Sequence, residues 1–94
     1  MTRKIERSNL FKKDFKRVSK GKYSTSIDAL LIETLQRLIS DQELPYQYRD
    51  HALIGNWRGF RDCHIKPDLI LIYRKVGDDV LQLARLGSHS ELSL

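Results

Sequence analysis

The 94 residues, 40% hydrophobic and 31% charged, suffice for one domain with a thin core, so residues 1–94 read as a single unit with a shallow site instead of an enclosed cavity. No apolar run of about 18 residues offers a transmembrane helix, the start Met1-Thr2-Arg3-Lys4-Ile5-Glu6 lacks a signal peptide's apolar core, and Cys63 is the only cysteine; a reducing cytoplasm with no membrane attachment is expected. The net charge is +5, and nine of the seventeen basic residues fall in the first 22 positions against only Glu6 and Asp14, which points to a polyanion or an acidic protein as partner.

Taken in chain order, residues 3–8 form a short first strand of poor alternation. Ser8 or Asn9 then caps a helix running to about Ser19, with Phe11, Phe15 and Val18 on one stripe. Lys12, Lys13, Lys16, Arg17 and Lys20 crowd the rest of its surface, and Gly21 suits the position just past its end. A second helix starts at Ser24, Thr25 or Ser26, where Thr25-x-x-Asp28 has the outline of a capping box. Its stripe is Ile27, Leu30, Leu31, Leu35 and Leu38, and it ends near Asp41.

After Pro45 the pattern changes to strand. Trp57–Ile65, Leu69–Lys75 and Asp79–Leu86 are rich in aromatic and branched residues, and Lys66-Pro67-Asp68 and Gly77-Asp78 supply turns between them. Leu69-Ile70-Leu71-Ile72-Tyr73 has no polar alternation and reads as a buried central strand. The expected class is α+β in the order β-α-α-β-β-β: a mostly antiparallel four-stranded sheet with two N-terminal helices packed on one face.

The residues able to do chemistry lie in the second half. His51, His64 and His89 all fall at strand ends or loops, where sites concentrate. Cys63 and His64 are neighbours on a strand and point to opposite faces, and there is no Cys-x-x-Cys or His-x₃-His spacing, so no metal site is expected. Cys63 reads as a small core hydrophobe. Cys63–His64 and Ser88–His89 are sequence neighbours, which is not how a nucleophile meets its base. The five glycines are scattered, which argues against a phosphate-binding loop.

Asp62 and His64 share a strand face, and Asp68 lies just beyond the Pro67 turn. A carboxylate beside an imidazole fixes its tautomer and suits it to acid–base work. Arg61 and Arg85 offer forked donors for phosphate. A basic surface with clustered imidazoles is the outline of a phosphodiester-cleaving site that uses no metal or other cofactor.

Three segments carry a family resemblance: Asp50-His51-Ala52-Leu53, the run from Trp57 to Tyr73, and Arg85-Leu86-Gly87-Ser88-His89-Ser90-Glu91-Leu92. Together they resemble the YafQ-type toxins of the RelE/ParE superfamily over about residues 45–92; the helical half resembles them in pattern. The resemblance implies the RelE-like fold and a toxin of a type II toxin–antitoxin system. It implies a messenger endoribonuclease acting on the ribosome, in which the RNA 2′-hydroxyl attacks its own phosphate without a metal. It carries over His51, His64, Asp68 and His89 as catalytic residues, with His89 as general acid, and Asp62 in support. Arg61, Arg85, Lys12, Lys13 and Lys16 would bind RNA.

The implied partners are the ribosome with its messenger and a DinJ-like antitoxin, dimeric and DNA-binding, through which alone the toxin meets promoter DNA. The family usually ends Gly-Ser/Thr-His-x-x-Leu-Phe; here Ser93 stands at the aromatic position, so a stacking contact is lost. That departure keeps open an attenuated toxin acting only in antitoxin binding and promoter autoregulation. The shared superfamily fold keeps open a ParE-like gyrase-inhibiting module, although three clustered histidines speak against it.

Overall fold

The computed structural model describes residues 2–94. Strand β1 (Lys4–Arg7) is followed by helices α1 (Asn9–Val18) and α2 (Ile27–Ile39), then by β2 (His51–Ala52), β3 (Arg61–Lys66), β4 (Leu69–Val76) and β5 (Val80–Gly87). The α+β class holds, but the sheet has five strands, in the order β1-β5-β4-β3-β2. The additional strand is β2, a two-residue edge that pairs antiparallel with β3, placing His51 opposite Asp62. β1 runs parallel to β5 while every other pairing is antiparallel.

Local chemistry sets the element ends. Ser8 caps α1 by accepting the Phe11 backbone N–H at 2.9 Å, and Lys16 and Arg17 sit in its last turn, where the helix dipole favours cations. The capping box expected at α2 does not form: Ser26 is the N-cap and makes no side-chain cap bond. α1 ends where expected, with Ser19 as its C-cap, and Gly21 lies two residues beyond that cap. The strand expected from Trp57 begins only at Arg61. Gly55–Trp57 is instead a turn of 3-10 helix, and Gly59 adopts φ +93°, a conformation that side chains resist.

The two helices cover one face of the sheet. Phe11, Val18, Ile27, Leu31 and Leu38 pack with Cys63, Ile65, Leu69, Leu71, Tyr73, Leu81, Leu83 and Leu86. The alternation along β5 changes phase because of a bulge: Ile72 faces Arg85 in register, yet Tyr73 faces Leu83, leaving Ala84 as the extra residue. Strict alternation after Leu81 and Leu83 would drive Arg85 into the core. The bulge lets Leu86 take that place. The opposite face of β4 is covered by a smaller cluster, in which Ile70, Ile72 and Leu92 pack with Leu53, Trp57, Phe60 and Ala84.

Beyond Arg7, β5 has no β1 partner in the ladder, and α1 supplies side chains in its place. Asp14, 2% exposed, accepts from the Leu86 N–H at 3.0 Å, from Arg85 Nε at 2.7 Å and Nη2 at 3.2 Å, and from Arg17 Nη1 at 2.8 Å. Arg17 Nη2 donates to the Leu86 carbonyl at 3.0 Å. Burial alone would raise the Asp14 carboxyl, but the donors from Arg85, Leu86 and Arg17 outweigh it and hold it below its ordinary value of 3.8.

Removing this carboxylate strands several donors at once. Asp14→Ala is expected to cost about 3 kcal/mol in urea unfolding near neutral pH. Since the folded-state pKa is depressed, the stabilisation is complete above pH 3.8 and is lost as pH falls through the lowered value. The gap between native and variant proteins should therefore close in acid; a gap that persists undiminished there would show that packing, not charge, is its source.

Candidate active site

His51, His64 and His89 come together on the face of the sheet away from the helices, linked by two carboxylates. Asp62 in β3 is 4% exposed. Its Oδ1 lies 3.0 Å from His51 Nδ1 and 4.0 Å from His64 Nε2, the second distance being too long for a hydrogen bond. The His64 and His89 rings follow, with centroids 5.3 Å apart. Asp68, in the turn after β3, closes the row: its Oδ1 accepts the His89 backbone N–H at 3.0 Å and lies 2.8 Å from His89 Nδ1.

The partners fix two tautomers. His51 Nδ1 lies 2.8 Å from the Arg49 carbonyl oxygen as well as near Asp62. Both neighbours are acceptors, so Nδ1 carries the hydrogen and Nε2 is the free position. The hydrogen is spent on Arg49, which leaves Asp62 Oδ1 buried without a hydrogen-bond donor among the described residues. The same logic puts a hydrogen on His89 Nδ1 and frees its Nε2. The His51 and His89 side chains are about half exposed, at 55% and 47%, whereas His64 is 11% exposed.

Burial pushes the Asp62 carboxyl above the usual carboxylate range, although the three imidazoles pull it down. Asp68 is held below that range by the backbone and ring N–H groups of His89. Cys63 is fully buried and its thiol is pushed up by burial, so it is an inert core residue. Among the described residues no group of three metal-binding side chains is arranged around one ion.

The basic residues are placed differently from one another. Arg61 is partly exposed and donates from Nε to Asp50 at 3.2 Å, and Asp50 also accepts from the buried Tyr73 hydroxyl at 2.6 Å. That Tyr73–Asp50 bond ties down the residue before His51, a link the sequence did not announce. Arg85 spends Nε and Nη2 on Asp14, so its fork is already occupied and Nη1 is what remains. Lys12, Lys13 and Lys16 are exposed along α1 and make no hydrogen bond or ion pair with the histidine row among the described residues. Ser93 is exposed at φ +57°, while its neighbour Leu92 is buried against Ile70 and Ile72.

A raised carboxyl has a measurable sign. The folded chain holds the Asp62 proton more tightly than the unfolded chain, so this group costs stability as pH rises from 3.8 through the raised value. Asp62→Asn should melt a few degrees higher than the native protein at neutral pH, and the advantage should disappear on acidification below 3.8. Thermal unfolding across that interval decides it: an advantage independent of pH would remove the buried charge as the cause.

Comparison with known proteins places the chain in a family. Residues 3–94 match the family described as the bacterial toxin of a type II toxin–antitoxin system, YafQ. The mRNA interferase toxin YafQ of Escherichia coli is 39% identical over 92 residues, covering 96% of this chain and 95% of that protein. The crystal structure of YafQ from E. coli strain BL21(DE3) superposes with a TM-score of 0.82 at 37% identity, covering 96% and 97% of the two chains. The toxin in the E. coli DinJ–YafQ complex gives 0.81 at 39% identity, covering 98% of each. The chain belongs to the YafQ family of type II toxin–antitoxin toxins.

Proposed function

We propose that this chain is an endoribonuclease that cleaves messenger RNA on the ribosome and so inhibits translation. The observation that carries the reading is the row His51–Asp62–His64–His89–Asp68, in which two half-exposed imidazoles have their Nδ1 hydrogens pinned and their Nε2 atoms free. In the reaction the RNA 2′-oxygen bonds to the adjacent phosphorus and the bond from phosphorus to the 5′-oxygen breaks. His51 Nε2 accepts the 2′-hydroxyl proton, and His89, which enters the step as the imidazolium with its Nδ1 hydrogen on Asp68, gives the proton on its Nε2 to the departing 5′-oxygen and is left neutral. The products are a 2′,3′-cyclic phosphate and a 5′-hydroxyl.

The remaining residues serve that exchange. His64, between Asp62 and the His89 ring, hydrogen-bonds the phosphate as negative charge develops. Asp68 orients His89, and Arg61 and Arg85 contribute positive charge toward the anion. Lys12, Lys13 and Lys16 on α1 bind nucleic-acid backbone, a contribution that weakens as salt rises. Ser93 offers no ring to stack on a base, a contact worth roughly 1–3 kcal/mol, so this chain grips the nucleotides at the cut less tightly than a relative with an aromatic there.

The E. coli relative is crystallised with DinJ. For this chain the corresponding partner is a DinJ-like antitoxin, dimeric and DNA-binding, whose flexible segment folds over the basic face. Promoter DNA is reached only through that complex. No helix among the described residues is long and apolar enough to cross a membrane, and a cytoplasmic location follows from the proposed substrate.

Sequencing messenger 5′ ends after induced expression tests the reading. The native protein should give new ends at codon positions, and His89→Ala should lower cleavage by about 10²–10⁴-fold. Intact messenger with supercoiling or replication defects would overturn it in favour of gyrase inhibition. Intact messenger with tight antitoxin binding and normal growth would overturn it in favour of an attenuated toxin.

A further inference from the structure

The segment bearing His89 is braced from two directions. Asp68 holds it on the side of the β3–β4 turn. On the other side stands Glu91, whose Oε1 accepts the Ser88 backbone N–H at 2.9 Å, while its own N–H donates to Ser88 Oγ at 3.2 Å. The second carboxylate oxygen of Glu91 meets Arg17 Nε at 2.7 Å. Arg17 is in turn fixed by Asp14 and by the Leu86 carbonyl. One guanidinium on α1 therefore contacts a buried carboxylate, the end of β5 and the turn that presents His89.

The fit over Gly87 is tight. A Cβ there would lie 2.8 Å from Arg17 Nη2 and 3.0 Å from Glu91 Oε1. A side chain at Gly87 would push the ion pair lying across it out of place. With the turn closed, the Leu92 N–H donates to the Ser88 carbonyl and the Leu94 N–H to that of His89, and Leu92 drops into the cluster with Ile70 and Ile72. Ser88 and His89 share one short turn, so a shift at the Ser88 N–H moves the His89 backbone and with it the Nδ1 contact to Asp68.

We propose that Arg17 and Glu91 are positioning residues for His89, an ion pair laid across Gly87 that sets the turn in which the imidazole meets Asp68. The proposal rests on the reading of His89 as proton donor, and it assigns to α1 a part in the chemistry beyond its basic surface. Charge and reach are both used: the carboxylate of Glu91 is held below its usual range by the Ser88 N–H and by Arg17, so the pair stays ionised through the physiological interval.

Glu91 is the residue to vary, because its side chain is 42% exposed and its loss leaves the Asp14 cluster intact. Single-turnover cleavage of ribosome-bound messenger, ribosome affinity and the ¹⁵N signal of the His89 ring would be compared for native protein, Glu91→Ala and Glu91→Gln. Glu91→Ala should slow cleavage by about 10- to 100-fold, leave ribosome affinity unchanged and shift the His89 Nδ1 signal away from its hydrogen-bonded position. Glu91→Gln, which keeps an acceptor for Ser88, should recover most of both. In a His89→Ala background Glu91→Ala should add no further loss. A native rate with a native Nδ1 signal in Glu91→Ala would overturn the proposal, as would a loss that persists in full without His89. Full cleavage by His89→Ala alone would sink the proton-donor reading instead, and the Nδ1 signal would still decide whether the ion pair positions the ring.

Discussion

A strand segment without charged residues, buried on both faces, has to be covered twice. Leu69, Ile70, Leu71, Ile72 and Tyr73 are all 0–2% exposed, and successive side chains leave the sheet on opposite faces. Two helices shelter Leu69, Leu71 and Tyr73. A chain of this length has no third helix for Ile70 and Ile72, and each would forfeit roughly 1.5–3 kcal/mol if left in water. Loops do the work instead: Leu53, Trp57, Phe60 and the C-terminal Leu92 fold over that face. Those cover segments are the ones that carry His51 and His89. The active face exists because the second side of β4 must be roofed, and the roof is thin enough to leave imidazoles at its edges half exposed.

The same geometry explains why the site departs from what stability alone would favour. Asp62 lies on the β4 side that the loops cover, next to His64, and its Oδ1 is buried with no donor among the described residues. An aspartate in such a place is normally given N–H partners, as Asp14 is on the other side of the molecule. The contrast between the two is informative. Asp14 collects four donors and is held ionised; Asp62 collects imidazoles and is pushed toward its protonated form. One carboxylate builds the fold, and the other keeps a row of proton-carrying rings within reach of each other.

Much of the architecture was legible in the residues, and the parts that were not share a cause. Both helices, β4 and the Pro67 turn follow from periodicity and turn chemistry, whereas β1 was expected in spite of its poor alternation. Trp57–Phe60 read as strand because it is aromatic, yet those rings are there to cover Ile70 and Ile72, with Gly59 turning the chain. β2 is two residues long and has no period to detect. The pairing of His51 with Asp62 depends on cross-strand register, and the position of Arg85 on a bulge; neither is written locally. Asp14 looked like a lone acid on a basic helix, because only the fold reveals the unpaired stretch of β5 that it serves. The candidate site residues came from the family resemblance, with Asp62, His64 and Asp68 also suggested by their residue types; that the three imidazoles lie in one row, and which nitrogen of each ring is free, required coordinates.

A small domain with a shallow face is suited to a reaction whose nucleophile comes with the substrate. RNA brings its own 2′-hydroxyl, so the protein need not enclose and aim a water molecule. It needs two proton-exchanging positions, donors for a developing anion, and little else. Positioning, which larger enzymes obtain by surrounding the substrate, has to come from outside a chain this size, and a ribosome holding the messenger in place supplies it. Under the proposed function the exposed lysines of α1 have a part separate from the histidines: they would secure the protein to a large polyanion, while the row from His51 to Asp68 would need only to be rigid. Rigidity is what the buried strand beneath it and the ion pairs at its C-terminal end provide.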